Sequence, residues 1–330
     1  MSKVLITGVA GFIGSSLARA FVEAGHDVCG IDNLSTGRIG NISAILSSMQ
    51  FVAGDVRDGD LLRRLCEGRD VVFHEAALPS VPKSVIDPRS SHVANVCGTL
   101  EVLIAARDAG VRRVVYAASS SAYGESETLP KHEQMATAPM SPYAVQKLAG
   151  EHYMQAFSRV YGIETVSLRY FNVFGPYQAA DSPYSGVLAK FITKMLEGQA
   201  PTIFGDGGQS RDFTYIDNVV QANVLAAFAP AEKISGNVYN VACGERISLL
   251  ETYRILAEML RINQGPVFAP PRTGDIRHSL ADISRAKQDL GYDPKVSFIE
   301  GLRRTVNWYA EGEFNLHPAP VSHSSEQLVA

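Results

Sequence analysis

Tyr143 and Lys147 stand four residues apart near the start of a segment with helical periodicity, so phenol and ammonium share one face. A cation beside a phenol favours the phenolate and draws its pKa down from about 10, as a general base requires. The spacing recurs by chance in many helices. It gains weight from Ser119, Ser120 and Ser121, which end the preceding strand pattern. Strand ends on that edge are where doubly wound sheets bind ligands.

A second cluster lies at the start of the chain. Gly8, Gly11 and Gly14 fall between a β-branched run and an amphipathic helix. In that setting the first glycine makes a tight turn, the second lets backbone approach a pyrophosphate, and the third lets helix pack on strand. The N–H groups of the first helical turn, from Phe12 and Ile13 onward, would then face the phosphates together with the positive end of the helix dipole. Asp32 ends the next strand, eighteen residues past Gly14. Its carboxylate can accept both ribose hydroxyls of adenosine and would repel a 2′-phosphate, so the pattern predicts NAD rather than NADP. A plain strand–turn–helix would need the glycines for geometry alone, but would leave Asp32 unaccounted for. Asp55 and Val56, after a third strand, stand where an adenine edge could be held. An ordinary strand-ending aspartate fits that spot nearly as well.

Positioning these groups requires a parallel sheet. Strand patterns occur at residues 4–7, 27–31, 50–53, 71–74, 113–118 and 165–169, with helical patterns at 12–24, 90–109 and 142–161. Strands separated by helices mean βαβ units. The expected fold is α/β, a doubly wound parallel Rossmann sheet with a smaller, mixed C-terminal substrate domain. Residues 1–175 form the NAD-binding part, to which later segments could return, and residues 176–314 the substrate part. Helices are expected there at 217–228, 249–260 and 298–309. Residues 315–330 lack periodicity and read as a disordered tail.

Composition narrows the function further. The 330 residues are 46% hydrophobic and 19% charged with a net charge of -4, and no Lys/Arg block marks a nucleic-acid surface. Cys29, Cys66, Cys97 and Cys243 are scattered without metal-ligand spacing, so neither a metal nor a disulfide framework is expected. No apolar run approaches the ~18 residues of a membrane span. The first residues run directly into a strand pattern, so no signal peptide and a cytoplasmic location are expected.

Residues 7–14, 32–37, 74–77, Asn95, 119–124, 143–147 and 168–175 together resemble the extended short-chain dehydrogenase/reductases, and within them the UDP-sugar 4-epimerases. The resemblance runs from residue 4 to about 309. It implies that Tyr143 is the catalytic base, Lys147 its partner and a ligand of the nicotinamide ribose, and Ser119 the serine that holds the reacting oxygen. It assigns Asn33, Ser35, Thr36, Gly37, residues 75–79 with Ala76 and Ala77, Asn95 and Tyr170 to the cofactor, beside the groups named above. It assigns Ser80, Ser120 and Ser121 to the sugar, Asn172 and Arg211 to the phosphates, and Arg272 and Asp275 to phosphate and uridine ribose. The implied reaction is transient oxidation of the sugar at C4 by bound NAD, followed by reduction on the opposite face. The resemblance also implies a homodimer through the helices at 90–109 and 142–161.

Related dehydratases and decarboxylases carry a carboxyl acid/base just before the position of Tyr123, where this chain has Ser120 and Ser121; elimination or decarboxylation lacks its proton carrier here. A non-enzymatic descendant of the fold would be expected to lose Ser119, Tyr143 or Lys147, and all three are present. In the epimerases, the fourth position after the Asp of Arg-x-Gly-Asp lies beside the sugar's C2 substituent. This chain has Ser279 there, a small residue that leaves room for an N-acetyl group. UDP-N-acetylglucosamine and its galacto epimer are therefore the expected pair, with their uronic acids also possible substrates. UDP-glucuronate is the alternative, and UDP-glucose alone a third.

Overall fold

The computed structural model describes residues 1–180, 186–271 and 276–312. The expected tail at 315–330, Arg272 and Asp275 lie outside the described residues. Seven strands form one sheet: β1 (Lys3–Thr7), β2 (Asp27–Asp32), β3 (Gln50–Ala53), β4 (Val71–His74), β5 (Arg113–Ser119), β6 (Glu164–Tyr170) and β7 (Asn237–Val241). Their spatial order is β7-β6-β5-β4-β1-β2-β3, and every pairing is parallel. The chain leaves β1 toward β2 and β3, then crosses back to place β4 on the other side of β1. That reversal opens a crevice at the carboxyl ends of β1 and β4, the ligand site of doubly wound sheets.

Both faces of the sheet are buried, which explains the nearly continuous apolar strands. Val4 and Ile6 pack on one face with Val115, Val166 and Leu168, while Leu5 packs on the other with Val72, Val114 and Tyr116. Helices cover the two faces. The first is α1 (Phe12–Glu23), followed by α2 (Gly59–Cys66), α3 (Val81–Ile86), α4 (Pro88–His92), α5 (Gly98–Asp108) and α6 (Pro142–Tyr161).

The termini of α6 follow from its sequence. The Ser141 hydroxyl accepts from the Ala144 N–H, Pro142 fills the first turn, and Gly162 ends the helix at φ 72°. The segment expected as one helix over 90–109 is different in detail. It starts at Pro88, capped by Asp87, passes through a wider turn at Val93–Cys97, and continues as α5 to Asp108. Such wide turns gather at functional sites, and this one faces the crevice with Val93 and Ala94.

Beyond Gly175 the chain builds α7 (Val187–Leu196) and α8 (Ile216–Phe228), with further helices at Leu249–Leu260 and Phe298–Ala310. Leu188, Phe191, Ile192 and Met195 bury the inner stripe of α7 at helical spacing. Three small pairings accompany them: Thr214–Tyr215 with Val173–Phe174, Ile247–Ser248 with Ser210–Arg211, and Val267–Ala269 with Thr202–Phe204. β7 comes from this late part of the chain and closes the edge of the main sheet beside β6. Among the described residues, no helix is long and apolar enough to cross a membrane.

Candidate active site

A cleft of about 1100 Å³ runs along the carboxyl edge of the sheet. Its floor begins at the turn after β1. Gly8 sits at φ 68°, and a Cβ there would come within 2.8 Å of the Ala76 backbone. A Cβ on Gly14 would lie 2.2 Å from the Gly8 carbonyl oxygen, so the close seat of α1 on the turn requires glycine. Gly11 is the N-cap of α1 and offers no capping side chain, and no acidic residue occupies the first turn. The positive end of the helix therefore opens on the cleft with Phe12, Ile13 and Gly14 in its wall.

Asp32 ends β2 with its carboxylate fixed by two backbone donors, Ala10 N–H at 3.0 Å and Leu34 N–H at 2.8 Å. Burial pushes its pKa up, and those N–H groups oppose the push. Gly37 packs directly on the carboxylate, since a Cβ there would meet Asp32 Oδ2 at 2.7 Å. Asn33, Ser35 and Thr36 line the same end of the cleft with Asp55 and Val56. Both oxygens of Asp55 are engaged, by Arg57 and by the Asn33 amide at 2.8 Å. The Arg57 hydrogen bonds hold its carboxyl well below the usual carboxylate range.

This half of the cleft fits a dinucleotide by its own features: an uncapped helix end over a glycine cradle, and a preset carboxylate one strand away. A molecule with its phosphates at Gly8–Gly14 and one ribose at Asp32 extends, in the other direction, past β4 toward β5 and β6.

There Ala76, Ala77 and Ser80 form one wall, and Ser119, Tyr143, Lys147, Tyr170 and Asn172 the other. Ser119 ends β5 near enough to Tyr143 to lower the pKa of its phenol. The Ser121 hydroxyl donates to Ser119 Oγ at 2.9 Å, and the Ser121 N–H approaches the same oxygen at 3.2 Å. The Tyr143 N–H in turn donates to Ser84 Oγ at 3.0 Å, tying the first turn of α6 to α3. Ser84 was invisible to motif reading.

One expectation about this pair changes. Lys147 shares the helix face with Tyr143, but its ammonium donates to the Ala117 carbonyl at 2.8 Å and lies over the Tyr116 ring. Burial pushes the Tyr143 phenol up to about 12, and Ser119 only partly offsets it. Burial likewise draws Lys147 down to about 8 against the attraction of Glu75 and Glu151. Burial, rather than Lys147, is the largest influence on the phenol here.

Asn95 lies behind the wall rather than in it. It is buried, accepts from the Leu78 N–H at 2.7 Å and donates to Gln146 Oε1 at 2.9 Å, so it braces the loop that holds Ala77 and Ser80. His74 is buried beneath the cleft with Thr7 Oγ1 at 2.8 Å and Thr99 Oγ1 at 2.9 Å from its two ring nitrogens, so it packs under the site rather than lining it.

The residues expected for the sugar nucleotide are less gathered. Asn172 lines the cleft and donates to the Asp212 carbonyl at 3.0 Å. Ser120, Ser121, Arg211 and Ser279 are not among the residues lining this cleft. Arg211 donates to the carbonyls of Ser210 and Arg277, and the Ser279 N–H donates to the Ser210 carbonyl at 3.0 Å, which places Ser279 beside Arg211. The buried carboxylate that sets this corner was not singled out from sequence. Asp212 accepts the N–H groups of Cys243, Gly244 and Ala281, and burial pushes its pKa up to about 7.

Comparison with known proteins agrees with this geometry. Residues 4–242 match the NAD dependent epimerase/dehydratase family. UDP-glucose 4-epimerase of Mycolicibacterium smegmatis is 40% identical over 311 residues, 93% of this chain and 98% of that protein. The solved UDP-N-acetylglucosamine 4-epimerase from Methanobrevibacter ruminantium M1, in complex with UDP-N-acetylmuramic acid, is similar with a TM-score of 0.90 and 38% identity, covering 94% of this chain and 99% of that one. UDP-glucuronic acid 4-epimerase from Bacillus cereus, solved with UDP-glucuronic acid and NAD, is similar with a TM-score of 0.87 and 34% identity, covering 94% and 99%.

Proposed function

The chain belongs to the NAD-dependent epimerase/dehydratase family, and from that membership we propose that it is a UDP-sugar 4-epimerase whose principal substrates are UDP-N-acetylglucosamine and UDP-N-acetylgalactosamine. The observation that carries the reading is the meeting of Ser119, Tyr143 and Lys147 in one cleft with the Gly8–Gly14 cradle and Asp32.

NAD, when bound, supplies a reversible hydride acceptor at the sugar's C4. The protein's part is proton handling and orientation. Tyr143 as phenolate takes the proton of the 4-hydroxyl while Ser119 holds the oxygen, and both act in reverse when the 4-keto sugar has turned over in the pocket. Lys147 adds positive charge at the cofactor's ribose, and Asp32 fixes the adenosine end. No carboxyl group stands beside Ser119 in the chain to move a proton at C5, which favours epimerisation over elimination.

The N-acetyl preference rests on Ser279, on residues 78–82, which resemble the same stretch of N-acetyl-accepting epimerases, and on the likeness to the Methanobrevibacter enzyme, which is named for UDP-N-acetylglucosamine. We assign the nucleotide-sugar contacts to Asn172 and to the 176–314 part of the chain, with Asn172, Arg211, Arg272 and Asp275 on the diphosphate and ribose. Ser80, Ser120 and Ser121 are assigned to the sugar. A uronate is the second reading, favoured by Lys83 and Arg89 in the cleft wall, where a C6 carboxylate would find a cation. Arg277, by contrast, pairs with Asp206 at 3.0 Å. We further propose a cytoplasmic homodimer; Val145 and Ala156 are exposed on the outer face of α6 beside His152 and Arg159.

The test is turnover by purified protein with no cofactor added. UDP-N-acetylglucosamine should yield its 4-epimer, and sedimentation should give twice the chain mass. Failure with every UDP-hexose, N-acetylhexosamine and uronate refutes the epimerase reading; turnover of UDP-glucuronate alone selects the second.

A further inference from the structure

Glu75 follows β4 directly and lines the cleft between Lys147 and Tyr170. The Tyr170 hydroxyl donates its one proton to Glu75 Oε1 at 2.8 Å and itself accepts from the Asn223 amide at 2.8 Å. Glu75 Oε2 is buried and has no hydrogen-bond partner. A buried carboxylate oxygen without a donor is costly, and positive charge placed near it offsets that cost. The cleft wall here is the end to which the nicotinamide half of a dinucleotide extends from Asp32 and the glycine turn.

We infer that Glu75 is a charge-balancing residue of the reaction: its carboxylate, set in the cleft wall, favours the oxidised, cationic form of the nicotinamide half of NAD. This rests on the epimerase reading only for the need to start each cycle with oxidised cofactor. An enzyme that returns its hydride to every substrate loses activity whenever reduced cofactor stays behind. An anion facing the ring works against that loss. It also holds the Lys147 ammonium in its charged form.

The surroundings decide how such a group titrates. Lys147 and Glu151 face the region from α6, Tyr116 from β5, Tyr170 from β6, and His74 from the end of β4. Glu151 is bound to Arg169 at 2.7 Å, and burial draws His74 down to about 3, where it is neutral. Burial pushes Tyr116 and Tyr170 well above the ordinary tyrosine range. Lys147 is therefore the one cation with which Glu75 exchanges charge among the groups named. Burial pushes Glu75 up to about 7, and the Tyr170 hydrogen bond and Lys147 oppose it. The carboxylate is the form that performs the role, so its effect strengthens as pH rises through that region.

Glu75→Gln keeps the shape and an acceptor for Tyr170 but removes the charge. Holoprotein equilibrated with mixtures of NAD and NADH, with no sugar present, is read by the near-ultraviolet absorbance of the bound reduced nicotinamide. The variant should retain roughly tenfold more of the reduced form than wild type, the size expected of a unit charge through a partly screened medium. Glu75→Asp, which restores the charge, should move the ratio back toward wild type. The acid limb of kcat/KM should also flatten in Glu75→Gln. Equal NAD/NADH ratios in wild type and Glu75→Gln, both still loaded with cofactor, overturn the inference. So does a variant ratio that Asp fails to restore. Because the ratio is measured without sugar, it fails or succeeds independently of the substrate assignment.

Discussion

Lys147 Nζ donates to the Ala117 carbonyl at 2.8 Å, two residues before Ser119, the serine that lowers the pKa of the Tyr143 phenol. The ammonium is thereby parked against β5, above the Tyr116 ring and within the field of Glu75. The tyrosine and lysine share a helix face, yet each is anchored to a different part of the strand end. This arrangement separates two tasks, proton transfer by Tyr143 and charge placement by Lys147, and they should separate in variants.

Tyr143→Phe removes the group positioned to take the 4-hydroxyl proton and leaves the cofactor wall intact. Epimerisation should fall by at least ~10²-fold with bound NAD unchanged. Ser119→Ala should cost less, since it deletes one hydrogen bond to the reacting oxygen. Lys147→Met should differ from both by lowering the NAD retained through gel filtration. Nearly full activity in Tyr143→Phe would remove the tyrosine from the mechanism.

The cofactor end makes its own prediction. Denatured protein should release NAD and not NADP, because the Asp32 carboxylate is held by two backbone N–H groups where a 2′-phosphate would sit. Gly37→Ala tests that placement without touching the acid. Its Cβ would stand 2.7 Å from Asp32 Oδ2, and the anchored carboxylate cannot swing aside without losing its donors. NAD retention should drop several-fold while circular dichroism stays native. Tight NADP in the wild type would refute the role of Asp32.

Local chemistry was the part of this molecule most legible from sequence. The glycine turn, Asp32, Tyr143 and the bounds of α6 could be read because each rests on short-range rules: a positive φ, a cap, a four-residue spacing; Ser119 was picked from its two neighbours only through the family resemblance. Strand β7 could not be placed that way, since its partner β6 lies about seventy residues earlier and only the packed sheet brings them together. The same holds for Asp212, whose three donors come from two loops distant in the chain. Helix α7 is different: its Leu188, Phe191, Ile192, Met195 stripe was there to be read. The Tyr143–Lys147 pair marks the limit of spacing arguments. An i,i+4 relation brings two side chains to one face, but it does not decide which acceptor the longer one finds.

His74 gives the fold a defined acid sensitivity. Burial first, and the Lys147 charge second, pull its pKa down to about 3, so the folded protein keeps it neutral. The unfolded chain takes up a proton near the ordinary histidine value of about 6.5. Below that value the unfolded state binds more protons, so stability falls as pH drops, by up to about 1.4 kcal/mol per pH unit for this one group, until the folded histidine also titrates. His74→Gln retains polar contacts to Thr7 and Thr99 without a titrating group. Urea midpoints measured across the acid range should fall less steeply in the variant than in wild type. Parallel slopes would show that His74 is not the residue responsible.

The sugar preference is the last and most specific prediction. Ser279 is half-buried, and its N–H donates to the Ser210 carbonyl beside Arg211, which anchors the backbone at that position independently of the side chain. A larger residue can therefore be placed there without breaking the local hydrogen bonding. If the position borders the sugar's C2 substituent, Ser279→Tyr fills the space an N-acetyl group needs. A hexose with only a hydroxyl at C2 would still fit. Wild type should interconvert UDP-N-acetylglucosamine and UDP-N-acetylgalactosamine. The tyrosine variant should lose that activity by at least ~10²-fold, because a steric clash in a filled pocket discriminates far more strongly than a missing methylene. UDP-glucose turnover should be unchanged or improved in the same variant, which rules out unfolding as the cause. Undiminished turnover of N-acetyl sugars by Ser279→Tyr, or indifference of the wild type to them, would place the determinant elsewhere, with Ser80 and residues 78–82 next in line.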